Sequence, residues 1–211
     1  MARQGWMQRL AAQTAAGTIF DTFTTAKTVI NQQALVYLGG NTINVGDAMR
    51  VTVRGAMTTL VTTPGTVTFQ VMMGPSSPPA IIVWTSGAIQ LNATAHTLLP
   101  FTLELDLTCQ IINTTVGGAI AKFIGMGTLT GVMFTKTIAA TDLWGRVSAA
   151  DAAVSEVTLN VPVTAPAVGT AFDSTVTNIF DFHAAFSVSS ASNRIQIWQY
   201  FVDSCGGAAG G

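Results

Sequence analysis

Between Asp47 and Met73 the chain alternates for long enough, with a clear enough break in the middle, to exclude most ways of folding it. Met49, Val51, Val53 and Met57 fall on one parity and Arg50, Thr52, Arg54 and Thr58 on the other, which is the period of a strand with one buried face. Thr62-Thr63-Pro64-Gly65 comes next. Proline presets φ at the second position of a tight turn, and glycine accepts the positive φ that a type II turn needs at the third. Val67, Phe69, Val71 and Met73 then alternate with Thr66, Thr68 and Gln70. The expectation is a hairpin of two amphipathic strands whose apolar faces must find a partner sheet.

The rest of the chain supplies strands to build that partner. Phe101, Leu103, Leu105, Leu107, Cys109 and Ile111 alternate with Thr102, Glu104, Asp106, Thr108 and Gln110, so Leu99 to Ile112 reads as the longest strand, core on one face and polar on the other. Ala119 to Phe134 returns it, with Gly125, Gly127 and Gly131 as bulges or bends. Phe180, Phe182, Ala184, Phe186 and Val188 point inward against Asp181, His183 and Ser187, and Arg194 to Asp203 closes the pattern. Short strands fit Thr18 to Thr25, Thr28 to Leu38, Ala80 to Thr85, Gly87 to Leu91 and Val157 to Val163; Gly74 to Pro79 is a surface loop because its prolines lack donors. Thr135 to Glu156 reads as a connection across one edge. About nine strands without helical periodicity predict an all-β fold, a two-sheet antiparallel β-sandwich of jelly-roll type.

Residues 1–16 differ. Trp6, Met7, Leu10 and Ala11 fall at helical spacing, and Arg3 and Arg9 have no acid near them. This stretch is either a disordered tail or an arm that orders against a partner through Arg3, Trp6, Arg9 and Leu10. The expected organisation is an arm over 1–16, one sandwich domain over 17–205, and a flexible Gly-rich tail over 206–211.

Composition narrows the function classes. Only 9% of the residues are charged, against roughly 25% in an ordinary soluble domain. The interval between Gly55 and Leu103 holds no charged residue, but threonine, proline and glycine break it up, so no stretch of the ~20 apolar residues that span a bilayer is present. The expectation is no membrane insertion. A formal net charge of −1 with scattered basic residues argues against a nucleic-acid groove, while a low-charge, Thr-rich surface suits a subunit covered by neighbours. No apolar core for a secretory signal follows Arg3 and Arg9, which points to a cytoplasmic origin.

No catalytic set emerges. His96 and His183 read as loop and surface histidines, Glu104 and Asp106 lie ~7 Å apart on one solvated strand face, and Cys109 and Cys205 form no framework. No phosphate loop or nucleophile elbow is present. The expectation is therefore no enzyme, no cofactor and no metal. Trp84, Trp144 and Trp198 read as core or interface anchors rather than ligand stackers.

The body resembles a family of tailed-bacteriophage virion proteins with jelly-roll folds. The stretches carrying the resemblance are Ala26 to Leu38 (AKTVINQQALVYL), Asp47 to Met73 (DAMRVTVRGAMTTLVTTPGTVTFQVMM), Thr85 to Cys109 (TSGAIQLNATAHTLLPFTLELDLTC), Val161 to Ala185 (VPVTAPAVGTAFDSTVTNIFDFHAA) and Ser189 to Asp203 (SSASNRIQIWQYFVD). The Gly74 to Pro79 loop departs from the compact turn expected there. The resemblance implies a non-enzymatic capsid decoration or cement protein, a homotrimer on the head shell bound to the major capsid protein or other virion proteins, assembled in the host cytoplasm. The family has no catalytic residues to carry over. Two rivals stand beside it: a tail or fibre structural protein, and a carbohydrate-binding β-sandwich module, which should show exposed aromatics on loops or a concave sheet face.

Overall fold

The computed structural model describes residues 6–60, 63–115, 118–135 and 156–206. Among the described residues fourteen strands follow one another: β1 (Trp6–Gln13), β2 (Phe20–Asp21), β3 (Lys27–Thr28), β4 (Val36–Leu38), β5 (Ala48–Thr59), β6 (Thr66–Gly74), β7 (Ile81–Thr85), β8 (Ile89–Gln90), β9 (His96–Thr115), β10 (Gly118–Gly131), β11 (Val157–Val161), β12 (Phe172–Asp173), β13 (Asn178–Phe186) and β14 (Arg194–Gly206). A 3-10 turn, Gln32–Ala34, precedes β4.

The strands form two antiparallel sheets. One runs β1-β14-β5-β9-β10-β11, with β2 beside β14 and β12 beside β10; the other runs β3-β13-β6-β7, with β4 beside β13 and β8 beside β6. Strands early in the chain pair with strands late in it: β1 with β14, and β3 and β4 with β13. The middle strands β5, β9, β6 and β7 complete the two sheets, which is the wrapping of a jelly roll. β10, β11 and β12 extend the first sheet beyond β9.

The opening alternation is resolved differently from the hairpin expected of it. β5 lies between β14 and β9 in one sheet, while β6 lies between β13 and β7 in the other, so the segment around Pro64-Gly65 carries the chain across the sandwich. Both apolar faces still point inward, because Val51, Val53, Val67, Phe69 and Val71 are all fully buried in one core. Each strand is buried along its apolar parity as its alternation requires; facing partners across a core need the same alternation as neighbours within a sheet. Gly65 does take the positive φ (75°) the turn chemistry requires, and a side chain there would strike Ser187 and Val188.

One hydrophobic cluster joins the sheets. Phe101, Leu103, Leu105 and Leu107 from β9 meet Phe180, Phe182, Ala184 and Phe186 from β13, and Phe69 stacks on both Phe101 (5.6 Å) and Phe182 (5.7 Å). Among the β10 glycines, Gly127 has a definite reason: a Cβ there would run into the Glu104 backbone, so the two strands approach where only glycine fits. The register shift in β10 falls at Lys122/Phe123 rather than at a glycine. Most of the Thr135 to Glu156 connection lies outside the described residues.

The N-terminal stretch is corrected. Trp6 to Gln13 is an edge strand, not an amphipathic helical turn or a free arm: Arg9 pairs with Asp203, and Gln13 with Tyr200. One or two turns of unsupported helix are too short to persist, whereas β14 offers an open ladder of backbone groups that any extended segment can satisfy. Gly206, expected to begin a tail, is paired with Trp6 at the end of β14; residues 207–211 lie outside the described residues.

Candidate functional site

Of the residues expected to bind a partner, Arg3 and the Trp6 side chain lie outside what the structure describes. Arg9 is committed within the sheet. Its Nε donates to Asp203 Oδ1 at 2.5 Å, and its guanidinium lies 4.4 Å from the centroid of the Phe201 ring. The carboxylate beside it holds the Arg9 pKa above its ordinary value. Leu10 packs partly against the core and, with Gln8, Tyr37, Ile43, Met49 and Phe123, lines a hollow of about 300 Å³.

The titratable groups fall into two contrasting sets. Glu104 and Asp106 face solvent, as expected, and Arg50 Nε donates to Asp106 Oδ1 at 2.8 Å across adjacent strands with both side chains more than half exposed. His183 is not the surface histidine its parity suggested. His183 Nε2 lies 2.9 Å from Asp181 Oδ2, and Thr28 Oγ1 donates to the same oxygen at 2.6 Å; the His183 and Asp181 side chains are 4% and 1% exposed. Asp181 Oδ1, His183 Nδ1 and the Gln70 Oε1 on the neighbouring strand are buried without hydrogen-bond partners. Thr28 Oγ1 also lies 3.3 Å from His183 Nε2, so the three side chains close one small network in which the shorter hydroxyl bond goes to the carboxylate. The Tyr200 hydroxyl, fully buried in the core, is raised well above its ordinary range by burial first and by the Asp181 charge second. His96 is buried rather than in an open turn, and desolvation lowers its pKa. Among the described residues, no three His, Cys, Asp or Glu side chains gather to hold a metal ion.

The aromatic residues divide in the same way. Trp84 is a core residue whose Nε1 donates to the Gly125 carbonyl at 3.2 Å, and Trp144 lies outside the described residues. Trp198 is 38% exposed. It occupies a β-bulge: β14 shifts register against β5 between Ile197 and Gln199, so one extra side chain is turned outward there. Trp198, Gln199, Arg54, Thr102, Pro100 and Thr14 line a groove of about 570 Å³ on the outer face of the larger sheet. Alternation alone could not find this groove, because it depends on a break in the alternation; the Gln-Ile-Trp-Gln run of 196–199, with polar residues on both parities, was the available signal.

No protein-family model and no curated protein matches the chain. Among solved structures it is similar to winged bean acidic lectin complexed with methyl-alpha-D-galactose, at 8% identity over 96% of this chain and 99% of that one, with a TM-score of 0.28. A score that low carries no functional argument. No helix among the described residues is long and apolar enough to cross a membrane.

Proposed function

We propose that the chain is a non-enzymatic structural subunit of a tailed-phage virion, a decoration or cement protein that binds the head shell as a homotrimer and stabilises it. The observation supporting this reading is how the buried polar side chains are used. Asn193 Nδ2 donates to the Pro64 and Val188 carbonyls, and its Oδ1 accepts from the Leu60 N–H. Gln13 Nε2 donates to the Ile197 carbonyl while its Oε1 accepts from the Asn31 N–H. Ser86 accepts from the Phe69 N–H, and Asn178 holds the Asp173 and Val176 carbonyls. Asn193 and Gln13 tie backbone segments more than a hundred residues apart, Ser86 ties β7's end to β6 and Asn178 closes the turn before β13, which suits a stiff body that bears load.

With Arg9 and Leu10 built into the sheet, the attaching surface in this reading belongs to the body. The low-charge, threonine-rich exterior supports contact with neighbours. The deciding experiment is imaging of purified virions at a resolution that places this chain. Density at symmetry points of the head shell is the expected result. Density in the tail or fibre would replace the reading with its rival, and absence from the particle would overturn both.

A further inference from the structure

The Trp198 groove combines features that belong to ligand recognition rather than to bracing the fold. The indole orientation is fixed by a relay: Trp198 Nε1 donates to Gln196 Oε1 at 3.1 Å, Gln196 Nε2 donates to the Gly17 carbonyl at 2.9 Å, and the Gly17 N–H donates to the Ile197 carbonyl at 2.8 Å. The indole has one hydrogen-bond donor, and that donor is used, so what it offers outward is a held apolar face. An exposed aromatic whose rotamer is already fixed binds without the ordering cost of a loose side chain.

Beside it stands an arginine unlike the others. Arg9 faces Asp203, Arg50 faces Asp106 and Arg194 faces Asp21. Arg54, the remaining described arginine, meets no carboxylate; its Nη1 donates to the neutral Gln199 Oε1 at 3.3 Å. A guanidinium has five donors in a planar fork suited to two carboxylate oxygens, and here most of that fork is unspent at the rim of the groove. Thr102 and Thr14 add hydroxyls on the same walls.

We infer that this groove binds an acidic sugar, a pyranose ring bearing a carboxylate, with its apolar C–H face on Trp198 and its carboxylate on Arg54. A flat apolar plate set beside a charged fork and hydroxyl partners fits a ring with one hydrophobic face and a hydroxylated rim, and the unpaired positive charge selects the acid over the neutral ring. The site is independent of whether the body sits on a phage shell.

Isothermal titration of the full chain with tri-galacturonate, sialyllactose, lactose and sodium acetate tests it. The expected result is that one of the two acidic sugars binds at least ~10-fold more tightly than lactose, as a charge-assisted bond of this kind requires, and that acetate binds far more weakly. Which acid binds identifies a uronate-type or sialate-type ligand. Arg54→Gln should bring the acidic sugar down to the lactose level, and Trp198→Ala should weaken both sugars at least ~10-fold, with thermal midpoints near the parent's because both side chains are exposed. Equal binding of acidic and neutral sugars, acetate binding as well as the sugar, or binding unchanged in Arg54→Gln would overturn the proposal. So would the absence of binding to both acidic sugars; self-association that Trp198→Ala abolishes would then make this face a contact between copies of the chain.

Discussion

Two strands of this molecule carry nearly the same pattern and meet different fates. On β9, Leu103, Leu105 and Leu107 alternate with Glu104 and Asp106; on β13, Phe180, Phe182 and Ala184 alternate with Asp181 and His183. Both strands run through the interior of a sheet and both send their apolar residues into the shared core. The polar parity of β9 is wet, whereas that of β13 is dry: Asp106 is 61% exposed at the side chain and Asp181 is 1% exposed. An acid and a base meet on each strand's polar face, Asp106 with Arg50 and Asp181 with His183. The lesson is that alternation identifies which residues face inward but says nothing about whether the opposite face is covered.

The contrast has measurable consequences. Asp181→Ala would take from the buried His183 Nε2 its carboxylate partner, leaving only the part-buried Thr28 hydroxyl 3.3 Å away, and should cost about 1–3 kcal/mol in urea unfolding, the range for a buried polar group that loses its partner. A loss under 1 kcal/mol would show that water reaches β13 and that the two faces do not differ. Leu105→Ala, on the core side of β9, should cost ~2–5 kcal/mol as a cavity, while Thr102→Ala on its wet side should be nearly silent. Comparable small losses at both positions would remove the parity assignment of β9.

His96 supplies a test in pH. Its folded pKa is lowered below the ordinary 6.5 by burial, so the unfolded chain takes up a proton first as pH falls. The contribution of neutral His96 is fully present above about 6.5 and declines below it. A thermal midpoint series across that window should slope downward into acid, and His96→Gln should flatten the slope; an unchanged slope would assign it to other groups. The smallest effect is expected at the exposed pair. Asp106→Ala should change stability by no more than ~1 kcal/mol, shrinking further in high salt.

Much of the fold is legible in the sequence because a period of two is a physical requirement of a half-buried strand: the cores of β5, β6, β9 and β13 all follow from it. What alternation does not carry is partnership. The β5 and β6 strands sit on opposite sheets although adjacent in sequence, since a turn that reverses a hairpin and a corner that crosses a sandwich can use the same Pro-Gly chemistry. Trp6 to Leu10 also lost its helical reading to pairing, as β14 presents unsatisfied backbone groups that local spacing cannot reveal. The Trp198 groove was hidden for a related reason: it comes from one extra residue opposite Gly55, and the arginine beside it is distinctive only once the partners of the other three are known.

The seating of β14 between β1 and β5 also sets the order in which the molecule can be made. During translation β1 emerges first and has no neighbour until residues 194–206 leave the ribosome, and over the same period one edge of β5 stays bare. Closing the larger sheet therefore waits for β14 and joins residues more than a hundred and eighty positions apart, the kind of long-range closure that slows folding. Over that interval the nascent chain exposes a strand edge flanked by Val51 and Val53, and such edges invite pairing with other copies. Pairing of β14 with both strands at once ends that exposure, so β14 acts as the clasp of the larger sheet.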